Sequence, residues 1–173
     1  AKKLQQKYPS LIVFIPSCRS AFDEIFKKAF RKYQVKGHMI SQKDNAKLKP
    51  YIYSLTKIAL CKSGTVNMEL ALHGIPQIIG YRVSRVTAFI AKKILNFKVR
   101  FISPVNLLVN KLIIPEFVQR EFDEKKIFYK ACRILEGKSE KIKIKKGYAF
   151  LKKELGEKGV VQRAAREIIN SII

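Results

Sequence analysis

One short stretch carries the residue types that a phosphate-bearing ligand needs. Ser63, Gly64 and Thr65 form a small-residue turn that opens a helix, and Glu69 follows four residues after Thr65. Backbone N–H groups and the positive end of the helix dipole favour phosphate at such a turn. A carboxylate one turn further along can accept hydrogen bonds from two ribose hydroxyls. The stretch therefore predicts a nucleotide diphosphate site, with an ordinary capped helix and an exposed glutamate as the alternative.

The elements around this turn predict where it lies in the fold. Residues 57–61 are expected to form a strand that runs directly into the turn, and the helix over 65–73 ends at Gly74, with Pro76 beyond it. Glycine and proline in these places are typical of a helix end. Because ligands of parallel α/β sheets lie at the carboxyl ends of strands, the turn is suitably placed.

Short apolar runs alternate with amphipathic segments along the rest of the chain. This alternation predicts an α/β fold, a Rossmann-like parallel sheet with helices on both faces. The predicted strands are 11–15, 37–40, 57–61, 77–80 and 99–102. The predicted helices are 1–8, one beginning at residue 20, 44–55, 65–73, 84–97, 125–137, 147–155 and 160–173.

Some expectations concern segments outside this regular pattern. Ser20 and Asp23 resemble the capping box of a helix start. Residues 103–120 are predicted to be mostly loop, with a helical turn near Glu116. Residues 138–146, the most charged stretch, are predicted to be a solvated loop. Residues 1–173 are expected to form a single domain closed by the last helix.

Charge is the unusual property of the composition. The 173 residues include 36 Lys+Arg against 13 Asp+Glu, a formal net charge of +23. Such a field attracts nucleic acid, anionic lipid headgroups or phosphorylated ligands, and a lysine-rich surface without a partner is the alternative. The three cysteines are far apart and there are two histidines, so neither a disulfide framework nor a metal site is predicted.

A longer series of motifs surrounds the turn. In chain order they are SGTVNMELALHGIP (63–76), GYRVS (80–84), TAFIA (87–91), SPVNLL (103–108), IPEFVQ (114–119) and GVVQRAAREII (159–169). Together they resemble the lipid-A-disaccharide synthase family, inverting glycosyltransferases of the two-domain GT-B type. Many GT-B enzymes share SGT-x-x-x-E, whereas the Tyr-Arg, Asn-Leu-Leu and Pro-Glu-x-x-Gln blocks are more particular to this family. The resemblance covers nearly the whole chain and only the donor-binding half of the enzyme.

The resemblance implies a reaction and a set of binding residues. The donor would be UDP-2,3-diacylglucosamine, and its sugar would join 2,3-diacylglucosamine 1-phosphate through a β-1,6 linkage with release of UDP. Ser63, Gly64 and Thr65 would hold the diphosphate and Glu69 the ribose. Arg82 is the candidate stabiliser of the leaving UDP, a role that a metal plays elsewhere, and no cofactor is expected. The remaining donor-cleft candidates are Asn106, Glu116 and Gln119.

The same resemblance implies that the chain is a fragment. The family's Gly-Ser-Arg loop, which follows the first strand of this domain, would fall just before Ala1. The acceptor domain, with the family's proposed catalytic carboxylate base, is also outside the sequence. We therefore expect no catalytic residue in this chain, weak donor binding by it alone, and the N-terminal domain as a partner, with a homo-oligomer left open. Ser103-Pro-Val-Asn106 also stands where many members have Ser-Leu-Pro-Asn.

The lipid substrates give the basic charge a second interpretation. An enzyme that uses phosphorylated lipids must work at a membrane surface, so the protein is expected in the cytoplasm, peripheral on the inner membrane. Lys92, Lys93, Lys98 and Arg100, beside the apolar face of helix 84–97, are the candidates for that contact. The alternative is that this face packs inward and leaves its lysines in water.

Two other functions stay open. One is a related GT-B enzyme with a different nucleotide-sugar donor, because the SGT-x-x-x-E part is common property. The other is a basic nucleic-acid-binding module, which predicts aromatic residues interleaved with basic ones on one surface. Phe22, Phe26 and Phe30 fall instead at helical core spacing, so no specific nucleic acid is expected as a partner.

Overall fold

The computed structural model describes residues 1–17, 19–84, 100–157 and 159–171. Within these residues helices and strands alternate, as the sequence predicts. The strands are β1 (Val13–Pro16), β2 (Gly37–Ile40), β3 (Ala59–Cys61), β4 (Gln77–Tyr81) and β5 (Glu116–Val118). The helices are α1 (Lys2–Lys7), α2 (Asp23–Tyr33), α3 (Gln42–Leu55), α4 (Val66–Leu72), α5 (Pro104–Val109), α6 (Glu124–Glu136), α7 (Lys138–Leu155) and α8 (Val160–Asn170).

The paired strands of the described residues all run parallel. β1 pairs with β2, and β3, β4 and β5 form a second sheet with β4 in the middle. Parallel neighbours need crossover connections, which helices supply here. Because β3, β4 and β5 point the same way, the segments that follow Cys61, Tyr81 and Val118 all leave from one edge of the sheet. Several of the candidate residues lie on these segments.

The middle strand is covered on both faces. Ile78 and Ile79 are adjacent in β4 and 1% and 0% exposed, and successive strand residues point to opposite faces. Burying an isoleucine side chain stabilises a fold by about 1.5–3 kcal/mol. The same core continues into α5, α6 and α7 through Val105, Val109, Ala131, Cys132, Ile134, Ile144, Tyr148 and Leu151. The predicted α/β fold with parallel sheets and flanking helices is confirmed.

The predicted loop at 103–120 is wrong in two places. Residues Pro104–Val109 form α5, whose start is set by the Ser103 hydroxyl, which accepts a hydrogen bond from the Asn106 amide. A proline in the first turn supplies the φ angle of a helix start. Glu116 itself begins β5, since it pairs with Ile79, and the helical turn predicted near it is a 3-10 turn at Gln119–Glu121. A three-residue strand is too short to be recognised from periodicity.

The predicted solvated loop at 138–146 is also wrong, because α7 is continuous over Lys138–Leu155. Ile144 and Tyr148 recur at helical spacing and are buried, so packing orders a stretch whose lysines are mostly exposed. Gly147, predicted as a helix start, lies mid-helix. A Cβ at this position would come within 2.3 Å of the Ile113 side chain, so the glycine permits close packing.

The predicted capping box is wrong as well. Ser20 lies in a short 3-10 turn, and α2 begins only at Asp23. The Asp23 carboxylate instead accepts a hydrogen bond from the Ser17 hydroxyl at 2.5 Å. Residues 100–102 are not in a strand. Residue 99 and the predicted helix at 84–97, apart from Ser84, lie outside the described residues.

The C-terminal helix is found where the sequence predicts it, over Val160–Asn170. None of its residues is buried, although Val160, Val161, Ile168 and Ile169 place apolar side chains along it. None of the helices in the described ranges combines the length and the apolar character that a membrane-crossing segment requires.

Candidate functional site

The segment between β3 and α4 forms the predicted turn at the carboxyl end of a strand. Ser63 and Gly64 follow β3, and Thr65 is the N-cap residue of α4. The Thr65 side chain is exposed and makes no capping hydrogen bond. A Cβ added to Gly64 would meet no atom within 4 Å. The outer side of the turn therefore presents a hydroxyl group and open space.

Asn67 fixes the inner side of the turn, a role that sequence reasoning missed. Its side-chain oxygen accepts from the Gly64 amide at 2.8 Å, and its Nδ2 donates to the Lys62 carbonyl at 3.2 Å. Asn67 is fully buried. The available signal was an asparagine three residues after a turn glycine, a residue type that bonds nearby backbone. The Gly64 N–H is consequently occupied within the protein.

Ser63 is also bonded within the protein. Its hydroxyl donates to the Ile102 carbonyl at 2.5 Å, which links the turn after β3 to the segment before α5. A serine hydroxyl has one proton to donate, so in this arrangement Ser63 can meet a ligand only as an acceptor. Thr65 is the hydroxyl donor that the turn offers outward.

Glu69 projects from α4 toward α3. Its Oε1 lies 2.5 Å from Nζ of Lys49, and each side chain is about one-third exposed. Burial, followed by the neighbouring Glu69 carboxylate, raises the pKa of Tyr53 to about 12. A carboxylate has about four acceptor positions, so the ion pair leaves room for ribose hydroxyls. Lys49 lies 20 residues upstream, and no sequence pattern pointed to it.

Asn106 and Glu116 lie together beneath the segment before α5. Asn106 is fully buried. Its Oδ1 accepts from two backbone amides ahead of β5, and its Nδ2 donates to Glu116 Oε1 at 2.8 Å. Glu116 also accepts from the amides of Ile102 at 2.8 Å and Ser103 at 3.0 Å. The known partners of both side chains are thus loop backbone and each other.

Gln119 and Arg82 follow the ends of β5 and β4. Gln119 has a left-handed φ of 52°, and its side-chain oxygen accepts from the Val83 amide at 2.8 Å. Arg82 is exposed and lines a cleft of about 420 Å³ together with residues of α1 and α6. Across the described ranges, Arg82 forms no ion pair.

The structure brings some of the candidates together and not others. Ser63, Asn106 and Glu116 belong to one hydrogen-bonded group, connected through the backbone at residues 102–103. Glu69 lies against α3, and Arg82 lies in the cleft beside α1 and α6. The assignment of all eight residues to donor binding stays a prediction.

A buried polar group supports the turn from below, and sequence reasoning did not identify it. The side-chain nitrogen Nε2 of Gln77 in β4 donates to the Asn67 carbonyl at 2.9 Å and to the Tyr148 hydroxyl oxygen at 3.1 Å. That hydroxyl donates to the Ile75 carbonyl at 2.9 Å. Burial raises the pKa of Tyr148 above its ordinary value, so the phenol keeps its proton and acts as a donor.

Where the structure describes the chain, no cluster of three or more His, Cys, Asp or Glu side chains is arranged for an ion. Cys132 is buried and Cys61 partly buried, and both are free thiols. Burial raises the pKa of Cys61 to about 11. Cys18 lies outside the described residues.

The parallel strands, the flanking helices and the small-residue turn leading into a glutamate-bearing helix define a class, the Rossmann-like α/β domain. The family model described as lipid-A-disaccharide synthetase matches residues 1–172. The chain therefore belongs to the lipid-A-disaccharide synthase family, whose members are glycosyltransferases of lipid A biosynthesis.

Three relatives illustrate the similarity. The chain is 41% identical over 170 residues to "Lipid-A-disaccharide synthase" of Prochlorococcus marinus (strain MIT 9313), covering 98% of this chain and 43% of that protein. The protein of that name from Gloeothece citriformis (strain PCC 7424) is 33% identical over 99% of this chain and 44% of its own length. The one from Synechocystis sp. is 30% identical over 98% of this chain and 42% of its own length. The chain thus spans less than half the length of these relatives.

Proposed function

We propose that this chain is the donor-binding part of a lipid-A-disaccharide synthase. The observation that carries the proposal is the outer side of the 63–65 turn. There the exposed Thr65 hydroxyl and the open space over Gly64 lie one helical turn before Glu69. A nucleoside diphosphate offers phosphate acceptors next to ribose donors. That order matches a hydroxyl and backbone turn followed by a carboxylate.

The proposed reaction uses UDP-2,3-diacylglucosamine as donor and 2,3-diacylglucosamine 1-phosphate as acceptor. The acceptor 6-hydroxyl attacks the anomeric carbon of the donor while the bond from that carbon to the UDP oxygen breaks. The bonding electrons leave with UDP, and attack from the opposite face gives the β-1,6 linkage. The hydroxyl proton goes to a carboxylate base that we place in the part of the protein outside this chain. By itself the chain would bind donor weakly and not catalyse transfer.

Each candidate residue has a place in this reaction. Gly64 lets the diphosphate approach the backbone, Thr65 donates to it, and Glu69 accepts from the ribose. Arg82 is free of ion pairs with the other described residues, and its guanidinium would meet the charge that grows on the departing UDP. No cofactor is part of the proposal. The remaining donor-site candidates, Ser63, Asn106, Glu116 and Gln119, hydrogen-bond the backbone of the loops around this site.

The net positive charge supports binding of the protein to an anionic membrane surface. Both proposed substrates carry phosphate and acyl chains, and a net charge of +23 attracts phosphate headgroups. Arg100 is exposed in the structure, whereas Lys92, Lys93 and Lys98 lie outside the described residues. We therefore propose a cytoplasmic protein bound peripherally to the inner membrane, acting with its upstream domain and open to self-association.

The test is a transfer assay on the whole protein that carries this chain. We expect release of UDP and formation of a disaccharide only when UDP-2,3-diacylglucosamine and 2,3-diacylglucosamine 1-phosphate are both present. UDP-N-acetylglucosamine is the matched donor without the two acyl chains. UDP release from that donor and none from the diacylated one would replace the proposal with a GT-B enzyme for another nucleotide sugar. The absence of transfer from any UDP-sugar would overturn it.

A further inference from the structure

We propose that Glu116 is a positioning residue. It holds the diphosphate turn in its binding conformation through one peptide unit, and it does not touch the donor itself. The inference rests on the proposed function of the turn and deepens it. It concerns the hydrogen bonds that join Glu116, the backbone at residues 102–103, and Ser63.

Glu116 is held in place by the sheet and by Asn106. As the first residue of β5 it is paired with Ile79 of the middle strand, so its backbone is fixed by the sheet. Its Oε1 accepts from Asn106 Nδ2 at 2.8 Å. Asn106 is itself fully buried, with its Oδ1 accepting from the amides of Ile113 and Ile114. The carboxylate is consequently anchored on two sides before it reaches the loop.

Glu116 and Ser63 are connected through the peptide group between Ile102 and Ser103. The Ser103 amide donates to Glu116 Oε1 at 3.0 Å, while the Ile102 carbonyl accepts from the Ser63 hydroxyl at 2.5 Å. That N–H and that C=O belong to the same peptide bond, which is trans. A trans peptide is planar and carries the two groups on opposite sides. Glu116 and Ser63 therefore hydrogen-bond to opposite sides of the same rigid peptide group.

The hydrogen-bonded group runs from the amino end of β5 to the carboxyl end of β3, which the register places at the same level, because Glu116 pairs with Ile79 and Ile79 with Cys61. Glu116 lies in β5 and Ser63 follows β3, so the hydrogen bonds join two strands that β4 separates. The turn at residues 63–65 is thus fixed from within by Asn67 and from the loop by Ser63. A turn held in one conformation binds more tightly, because binding affinity falls with the fraction of molecules in the competent state.

Direct contact between Glu116 and the donor does not fit these bonds. Three of the about four acceptor positions of its carboxylate already receive N–H donors, from Ile102, Ser103 and Asn106. A carboxylate would also repel the diphosphate, whereas the half-buried Glu116 carboxylate, bonded to loop backbone, can organise that backbone without meeting the phosphates. The contribution of Glu116 to donor binding is therefore indirect, through the position of the turn.

The test is a double-mutant cycle in the full-length protein, read by UDP affinity. Glu116→Gln places an NH₂ group opposite a backbone N–H, so one hydrogen bond to the loop is lost. Ser63→Ala removes the hydrogen bond to the Ile102 carbonyl on the other side of the same peptide. We expect each single variant to weaken UDP binding about fivefold to tenfold, the scale of one or two hydrogen bonds. The double variant should bind like the weaker single one, because both break the same connection. Glu136→Gln, which alters a surface partner of Lys7, is the control and should leave UDP affinity unchanged.

Amide hydrogen exchange without ligand gives a second readout. Glu116→Gln should speed exchange at Ile102 and Ser103 and also at Gly64, and Glu136→Gln should do neither. If Glu116→Gln fails to fold, Glu116→Asp keeps the charge and shortens the reach by one methylene, and the same two results are expected. Additive losses of UDP affinity in the double variant, or unchanged amide exchange at Gly64, would overturn the inference. If the wild-type protein still binds UDP, the proposed function is unaffected by that result. Absence of UDP binding by the wild-type protein would count against the proposed function itself.

Discussion

The carboxylate of Glu69 in α4 and the ammonium group of Lys49 in α3 form an ion pair at 2.5 Å. Both side chains are about one-third exposed, and ion pairs with such access to water contribute at most about 1 kcal/mol to stability. The pair orders the carboxylate without using all its acceptor positions. Glu69 is therefore expected to matter more for a ligand than for the fold.

Replacement of Glu69 tests that expectation. Glu69→Ala should weaken UDP binding about tenfold or more, because hydrogen bonds to a charged group are worth about 1.5–3 kcal/mol, and should leave the melting temperature nearly unchanged. Calorimetry and thermal unfolding measure the two quantities. Glu24→Ala, which breaks the exposed pair with Lys27 in α2, is the matched control. Equal UDP affinity in the two variants would remove the ribose assignment.

Gly64 tests the use of the open space over the turn. Because a Cβ there meets no atom within 4 Å, Gly64→Ala should fold as stably as the wild type yet bind UDP several-fold more weakly. Gly74→Ala should lower stability and leave UDP affinity unchanged. Gly74 has a φ of 71°, which costs a residue with a side chain about 1 kcal/mol, and it lies at the far end of α4 from the 63–65 turn. Urea unfolding and UDP titration distinguish the patterns, and unchanged UDP affinity in Gly64→Ala would mean that phosphate does not approach this backbone.

Arg82 tests the leaving-group assignment in the whole enzyme. Charge on UDP grows toward the transition state, so Arg82→Ala should lower kcat by more than it weakens donor affinity. Steady-state kinetics and equilibrium UDP binding measure the two effects. Arg31→Ala, an exposed arginine of α2, should change neither. Equal losses in kcat and in affinity would assign Arg82 to ground-state binding instead.

Tyr148 tests the buried polar group beneath the turn. Tyr148→Phe leaves the Ile75 carbonyl and part of the Gln77 amide without a partner. Unsatisfied buried groups cost about 1–3 kcal/mol each. We expect a loss of that size in the free energy of unfolding, measured in urea. The exposed Tyr129 supplies the control, and Tyr129→Phe should change stability by less than about 0.5 kcal/mol. A loss no larger than the control would show that the hydroxyl is not holding the core.

Glu140 gives the stability a pH dependence. A hydrogen bond from Lys130, together with the charges of Lys130 and Arg133, holds the pKa of Glu140 below its usual value of 4.5. A carboxylate with a lowered pKa stabilises the fold above its unfolded value, and that contribution is lost as pH falls through the folded one. Glu140→Gln should therefore be less stable than wild type at pH 7, with the difference disappearing below pH 4.5. Glu154→Gln on the same helix is the control, and a difference that persists at low pH would contradict the assignment.

The parts of the site that the sequence predicts well are local. The strand before residue 62, the turn at Ser63–Gly64–Thr65 and the helix that ends near Gly74 each depend on neighbours within a few positions. Apolar runs, small residues and the glycine and proline at a helix end predict such local structure directly. The motif order also led to the correct family.

The parts that were missed depend on distant contacts. The strand that begins at Glu116 was predicted as loop, because its pairing partner Ile79 in β4 lies 37 positions away in the chain. Lys49 pairs with Glu69 across two helices, which no spacing rule encodes. The lysine-rich residues 138–146 resembled a loop, because charge is visible in the sequence and burial of Ile144 is not. In each case tertiary packing overrides the local pattern.

Calorimetric titration of the 173-residue chain with UDP at physiological salt, and with AMP as the control, tests the central claim most directly. AMP, like UDP, carries a ribose and phosphate, with one phosphate fewer, so attraction by the charge of +23 contributes to both. The account predicts saturable UDP binding, weak but clearly tighter than that of AMP. Equal binding of the two nucleotides, or no UDP binding even when the upstream domain is joined to the chain, would contradict it.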